Sequence, residues 1–508
     1  MARRSKQTPD SSAINSVAFV SLGCPKNLVD SERMLGLLAA DGISVTADAS
    51  EADAIVINTC GFLEASKTES LKEIRDAVAL KTIGKVKRVV VAGCLVQRHK
   101  TRLLADAPGV DRLVGVFDRE HIVEAVRGRE NPRQEHGHYL GKYHDLSVVK
   151  TSEVGHRQGQ AETGGAGPMK TKQLRVFEDD RARLRLTPRH YAYLRMSEGC
   201  NQGCTFCTIP SIRGPMRSKP MDQILAEARE LAADGAVELN LIGQDTTSYG
   251  TDIGYAQGLA GLLRTLDRDL KDVHWLRLMY AYPSCFNDEM IDTIAACDRV
   301  VKYIDMPLQH ISDPILSMMR RRVSRREIET LLTKLRQRIP GIAIRTTFIA
   351  GSPGETDQQH VELVQFVRDF GFEMMGVFPF SPEPGTAMGR MEGQLPDSVK
   401  QARVEELMLA QQEVAFAKAK AMRGSSIEVL IDRSTGAPGA GRDAEHGWVA
   451  RSRSQAPDID SVVFVHSHDE LHAGQLLDVK VTDFQAYDLV AEVPCRKSRE
   501  LKVLSSRA

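Results

Sequence analysis

Apolar residues fall along this chain in short runs separated by stretches of helical periodicity. In the first ~130 residues the runs Ser16–Leu22, Ala54–Thr59 and Arg88–Gly93 are strand-sized and rich in β-branched residues. Helical spacing appears near Ser31–Ala40 and Ala65–Leu80, and again at Gln97–Ala105. Such alternation predicts an open parallel sheet with helices on its faces, an α/β domain. A second series begins at Tyr191. Its expected strands are Tyr191–Met196, Val237–Ile242, Trp275–Met279, Lys302–Asp305, Ile342–Ile349 and Met374–Pro379. Helical patterns lie between them, among them Asp222–Ala233, Arg325–Arg338 and Gln359–Phe370. Six strands with intervening helices predict a partial (β/α) barrel, with its site at the C-terminal strand ends.

The helical pattern Ser398–Met422 closes that series. Beyond it the runs Ile427–Ile431, Ser461–Val465, Leu476–Val481 and Leu489–Val493 predict a small β-barrel. Between the two α/β series, residues 129–189 turn polar and Gly-rich and read as a linker or insertion. The irregularly spaced His136, His138, His144 and His156 there are read as solvated linker residues. The expected domains are therefore 14–128, 190–422 and 423–495, with the 129–189 insertion between the first two.

Composition narrows the classes. Lys+Arg and Asp+Glu both total 67 in 508 residues, so overall charge gives no grip on nucleic acid. The longest apolar runs are far below the ~20 residues that cross a bilayer, so no membrane partner is expected. The basic start, Met1 to Lys6, runs into Gln-Thr-Pro-Asp-Ser-Ser rather than an apolar stretch; it reads as a disordered tail, not a signal peptide. A reducing, cytoplasmic setting is expected, and there nine cysteines do not suggest a disulfide framework.

The positions of those cysteines carry the chemistry. Cys200, Cys204 and Cys207 form a CxxxCxxC loop directly after the first barrel strand. Three thiolates on one loop can cap three corners of a 4Fe-4S cube and leave the fourth iron open. That vacancy suits the amino and carboxylate groups of S-adenosylmethionine, whose reductive cleavage yields a radical able to remove hydrogen from a substrate. A zinc site would want four ligands in paired CxxC form, and a ferredoxin a fourth nearby cysteine; neither is present. Leu241-Ile-Gly243-Gln244-Asp245 and the stretch from Arg345 to Gly351 end two later strands. Gly243, Gln244, Asp245, Arg345 and Gly351 are the candidate cofactor contacts, glycine allowing close backbone approach.

In the first domain Cys24, Cys60 and Cys94 each follow an apolar strand. The C-terminal ends of parallel strands converge on one crevice, so three cysteines there predict a shared cluster rather than three buried thiols. A second 4Fe-4S cluster with an open iron could hold sulfur, and a radical generator beside a sulfur carrier suggests carbon–hydrogen sulfuration. Cys285, Cys297 and Cys495 lack this placement and read as ordinary thiols.

The chain resembles the methylthiotransferases over nearly its whole length apart from the tail and the insertion. The stretch Ser21-Leu-Gly-Cys-Pro-Lys-Asn-Leu-Val-Asp-Ser-Glu32 is similar to the signature of the branch that modifies an aspartate of ribosomal small-subunit protein twelve. The transfer-RNA branch typically has Gln-Met-Asn where this chain has Pro25-Lys26-Asn27. The stretches 303–313 and 378–386 also look like family motifs. The resemblance implies two clusters, with Cys24, Cys60 and Cys94 holding one and Cys200, Cys204 and Cys207 the radical one. It further implies S-adenosylmethionine as methyl donor and radical source, an electron donor and a sulfur source.

The last region resembles the family's TRAM domain, which binds RNA in many relatives. Here residues 424–493 hold five basic and twelve acidic side chains, a balance of −7. An acidic surface repels phosphates and attracts a basic protein such as a ribosomal one, making transfer RNA the weaker partner. Asp458 and Asp460 are the candidate docking residues. A non-enzymatic iron–sulfur carrier is the reading from another class; the open coordination site and the large barrel speak against it.

Overall fold

The computed structural model describes residues 13–129, 138–142, 177, 179–436 and 446–494. The N-terminal tail, His136, His144, His156 and Cys495 lie outside the described residues. The first domain is a five-stranded parallel sheet of order β2-β1-β3-β4-β5. Its strands are β1 Ser16–Ser21, β2 Ser44–Thr46, β3 Ala54–Thr59, β4 Arg88–Gly93 and β5 Arg112–Val114. Every residue of β3 is buried, because successive side chains feed two cores. Ile55 and Ile57 pack with Leu71 and Ile74 of α2 (Glu64–Thr82). Ala54 and Val56 pack with Met34 and Leu38 of α1 (Pro25–Ala40) on the other face.

The second domain has six parallel strands in the order β6-β9-β10-β11-β12-β13. These are β6 Tyr191–Arg195, β9 Glu238–Ile242, β10 Trp275–Leu278, β11 Val300–Asp305, β12 Ala343–Ala350 and β13 Met374–Pro379. Between β6 and β9 a two-residue antiparallel pair, β7 Ser197–Glu198 and β8 Arg217–Ser218, closes the base of the cysteine loop. The third domain is a closed barrel of β14 Ser426–Ser434, β15 His446–Ser452, β16 Val463–Ser467, β17 Leu476–Gln485 and β18 Asp488–Glu492. The helix Asp397–Met422 joins the last two domains, burying Leu407 and Ala410 in one core and Ala419 in the other.

Ionic contacts clamp the β-barrel to the second domain, and they correct one expectation. The Asp460 side chain is buried: its carboxylate accepts from Tyr303 Oη (2.8 Å) and Arg345 Nε (3.2 Å), with 1% of the side chain exposed. Asp458 accepts from the hydroxyls of Tyr191 and Tyr193. Asp460 is thereby taken up in the domain contact and is not free to dock a partner, whereas Asp458 touches the two tyrosines yet stays exposed.

The ends of the 129–189 stretch are structured as well. His138 is buried and its Nδ1 accepts from the Leu113 backbone amide at 3.2 Å, so it is no solvated linker residue. Asp180 is buried between the first two domains, accepting from Arg119 (2.7 Å), Lys219 (2.7 Å) and Arg195. Arg195 and Arg119 also reach Asp30 of α1, at 2.8 and 2.6 Å. A short anchor from the insertion thereby completes the network that fixes the first sheet against the second.

Candidate functional site

Three strand ends of the first sheet bring three thiols to one place. Cys24 follows β1 and stands at the N-cap of α1; Cys60 follows β3; Cys94 follows β4 and opens the helix α3, Cys94–His99. Gly23 has φ +92°, and a Cβ there would lie 2.9 Å from Cys60 Cβ, so only glycine lets these loops approach so closely. From the second domain the loop between β7 and β8 carries Cys200, Cys204 and Cys207 toward the same space. All six line a single cavity of about 320 Å³ at the interface of the two domains. All six are free thiols.

Cations and aromatic rings complete the walls. Arg213 Nη2 donates to Cys94 Sγ at 3.2 Å, while Nη1 reaches Glu198 and Asp30 at 2.9 Å each. Arg321 stacks 4.0 Å over the Tyr282 ring and donates to Cys204 Sγ at 3.8 Å. Lys26 Nζ lies 3.0 Å from the centre of the Tyr280 ring. Two non-glycine residues of the wall, Tyr280 (φ +59°) and Gln309 (φ +75°), hold left-handed backbone conformations, strain of the kind that gathers at functional sites.

Burial pushes up the titration of Cys60, Cys94, Cys200 and Cys207. It raises Cys94 to about 12 against the pull of Arg213, Cys207 to about 12 and Cys200 to about 11.

 Metal binding must therefore displace protons from these sulfurs. Among the described residues no three His, Cys, Asp or Glu gather around one point as a single metal ion requires. Soft thiols spread around a cavity fit a polynuclear iron–sulfur group, whose corners stand apart, better than one ion.

The other expected contacts divide. Gln244 lines the cavity and donates to Glu198. Gly243 lies flush on β7, where a Cβ would meet Ser197 Oγ at 2.5 Å. Asp245 is buried behind the cysteine loop, accepting from Gln202 Nε2 (2.6 Å) and Thr247 Oγ1 (2.7 Å), and so braces that loop. Arg345 and Gly351 do not line the cavity. Arg345 sits early in β12, paired with Asp305 and Asp460, and lines a separate cavity beside the C-terminal barrel. Gly351 packs against the long helix, its absent Cβ lying 2.4 Å from Lys400 Cγ.

Three family models match the chain: the uncharacterized protein family UPF0004 over residues 16–115, the radical SAM superfamily over 194–367 and the TRAM domain over 424–493. The chain is 40% identical over 478 residues to the ribosomal protein uS12 methylthiotransferase RimO of Trichlorobacter lovleyi, covering 94% of this chain and 98% of that one. The RimO of Lachnoclostridium phytofermentans is also 40% identical, over 93% of this chain and 99% of its own. The chain belongs to the ribosomal protein uS12 methylthiotransferase family. It is a radical S-adenosylmethionine methylthiotransferase, a class that uses S-adenosylmethionine and a 4Fe-4S cluster. Among solved structures, the fold is similar to the radical S-adenosylmethionine methyltransferase TsrM from Kitasatospora setae, with TM-score 0.49 and 16% identity over 84% of this chain and 81% of that chain.

The cavity walls also include residues that pattern alone did not single out. Tyr280 and Tyr282 follow β10, and Gln309 follows β11, so their strand-end position was the available signal. Arg213 and Arg321 gave none, because an arginine near a glycine or in an Arg-rich run looks like ordinary surface charge. Cys285 lies beside the site without lining the cavity, accepting from Gln202 Nε2 at 3.3 Å.

Proposed function

We propose that this enzyme adds a methylthio group to the β-carbon of an aspartate of ribosomal protein uS12, using two 4Fe-4S clusters. Cys200, Cys204 and Cys207 would hold the radical cluster, and Cys24, Cys60 and Cys94 the second. The observation that carries this reading is the meeting of two free-thiol triads, from two domains, in one cavity. When bound, S-adenosylmethionine and the clusters supply the hydrogen-abstracting radical, the methyl group and a place for sulfur.

The chain's own residues make that space usable. The cavity lies in the domain interface, where buried walls limit the water that would quench a reactive intermediate. Arg321 and the Tyr282 hydroxyl contact Cys204 Sγ and fix one side of the radical loop. Gln202, held by Asp245, and the β7–β8 pair fix the other side. Arg213 offsets negative charge at Cys94. Gln244 and the candidate contacts around Gly243 stand at the end of β9, on the radical-loop side.

An external electron donor and a sulfur source complete the reaction. The acidic C-terminal barrel suits a basic protein better than transfer RNA. No helix among the described residues is long and apolar enough to cross a membrane, and a ribosomal substrate fits a cytoplasmic enzyme. The test is anaerobic reaction of reconstituted enzyme with recombinant uS12, and separately with transfer RNA, read by mass spectrometry. A methylthio group on one uS12 aspartate is the expected result. A methylthio-adenosine in transfer RNA with unmodified uS12 would overturn the reading.

A further inference from the structure

Three cations line the six-cysteine cavity: Lys26, Arg213 and Arg321. Two are already committed. Arg213 is bound to Glu198, Asp30 and Cys94, and Arg321 to the Pro307 carbonyl and Cys204. Lys26 differs. Its residue is only 5% exposed, yet among the described residues it forms neither an ion pair nor a side-chain hydrogen bond. Its ammonium stands over the face of Tyr280, with Cys24, Glu198 and Asp305 near enough to act on it electrostatically. The nearby Asp305 carboxylate is taken by Arg345 (2.8 Å) and by the Tyr280 amide (3.1 Å).

A buried ammonium with no acceptor is costly unless a ligand supplies one. The position narrows what that ligand is. Lys26 lies in the first turn of α1, two residues after Cys24, at a helix start that has no side-chain cap. Helix dipole and ammonium together favour an anion there. Lys26 reaches from the first domain to Tyr280, at the end of a barrel strand, and so stands between the two thiol triads.

We propose that Lys26 is the substrate-specificity residue of this site: its ammonium donates to the side-chain carboxylate of the target aspartate. The inference rests on the uS12 reading above. An aspartate β-carbon is bonded directly to its carboxylate carbon, so a cation that holds the carboxylate also places the reacting carbon between the triads. The ion pair replaces the water the carboxylate loses on entry, and a neutral side chain of the same shape gains less from it.

The experiment compares recombinant uS12 carrying aspartate or asparagine at the modified position, with full-length reconstituted enzyme. Wild-type enzyme should prefer aspartate by about tenfold or more in kcat/KM, the scale of one charge-assisted hydrogen bond. Lys26→Met should lose that preference by slowing the aspartate substrate alone, and Lys26→Arg should keep most of it. Iron content and the visible spectrum of both variants should match wild type. Equal slowing on both substrates would assign Lys26 to the cofactor and overturn the proposal, as would loss of iron from Lys26→Met. Should Lys26→Met fail to fold, the wild-type ratio and Lys26→Arg decide: no aspartate preference in wild type sinks the idea. Wild-type enzyme that modifies neither form of uS12 would instead overturn the function reading, and this inference with it.

Discussion

Arg213 donates to Cys94 Sγ at 3.2 Å across a domain boundary and 119 positions of sequence. The arginine ends the short helix Ile209–Arg213, which begins two residues after Cys207. A thiol of the first triad is thus in contact with a cation placed by the loop of the second. That cation favours the more negative state of any cluster bound at Cys94. Arg213→Gln should therefore lower the midpoint potential of the N-terminal cluster, followed by redox titration with electron paramagnetic resonance. Arg213→Lys should shift it less. An unchanged potential in Arg213→Gln would show that the contact does not tune the cluster.

Anaerobically reconstituted enzyme should hold about eight irons, four for each of two 4Fe-4S clusters. Replacing Cys24, Cys60 and Cys94 together by alanine should halve the iron while 5′-deoxyadenosine formation survives. Cys204→Ala should abolish that formation, because the radical loop would keep only two thiols. Cys297→Ala, in the barrel core near Ile294 and Val300, should leave it in place. A full iron count in the triple variant would remove the second cluster.

The interface network makes an acid prediction. Burial alone would raise Asp30, yet Arg195, Arg213 and Arg119 overcome it and hold the carboxyl at about 2. Asp180 is likewise held well below its ordinary value, burial being opposed by Arg195 and Lys219. A depressed carboxyl stabilises the fold above its unfolded pKa of about 4, and that contribution is lost as pH falls toward the folded value. Asp180→Asn should cost about 3–5 kcal/mol at pH 7, since it leaves buried cations short of a partner. The gap from wild type should narrow below pH 4 in thermal unfolding of cluster-free protein. A gap that stayed constant down to pH 3 would contradict the ionic account.

The architecture was legible where burial and periodicity agreed. β3 and β4 match their apolar runs end for end, because central parallel strands are apolar on both faces. Cys24, Cys60 and Cys94 were legible because strand ends of a parallel sheet converge, and Cys200, Cys204 and Cys207 because their spacing puts three thiols on one loop. The strands β2 and β5, only three residues each, left too short a pattern. Strand β15 was hidden by its chemistry: Arg451 is buried in it, paired with Glu238 and Asp432, where pattern reading looks for an apolar residue. Asp460 misled for the converse reason. Charge counts on a sequence cannot separate a solvated carboxylate from one already bound to a tyrosine and an arginine of the next domain.

That separation directs the docking argument to carboxylates that are exposed and, unlike Asp458, make no contact with the next domain. Asp469 and Glu470 lie in the loop after β16, both exposed. If the barrel draws in uS12 through long-range attraction, reversing both to lysine should slow modification at low salt, and the difference should shrink as salt rises. Cleavage of S-adenosylmethionine without uS12 should be untouched, since neither residue lines the six-cysteine cavity. Asp460→Lys should behave differently. It would place a second cation against Arg345 in the domain contact, so its main effect should be a lower Tm at every salt concentration. Wild-type modification rates for the Asp469/Glu470 double reversal at low salt would mean that uS12 reaches the cavity without help from this face of the barrel.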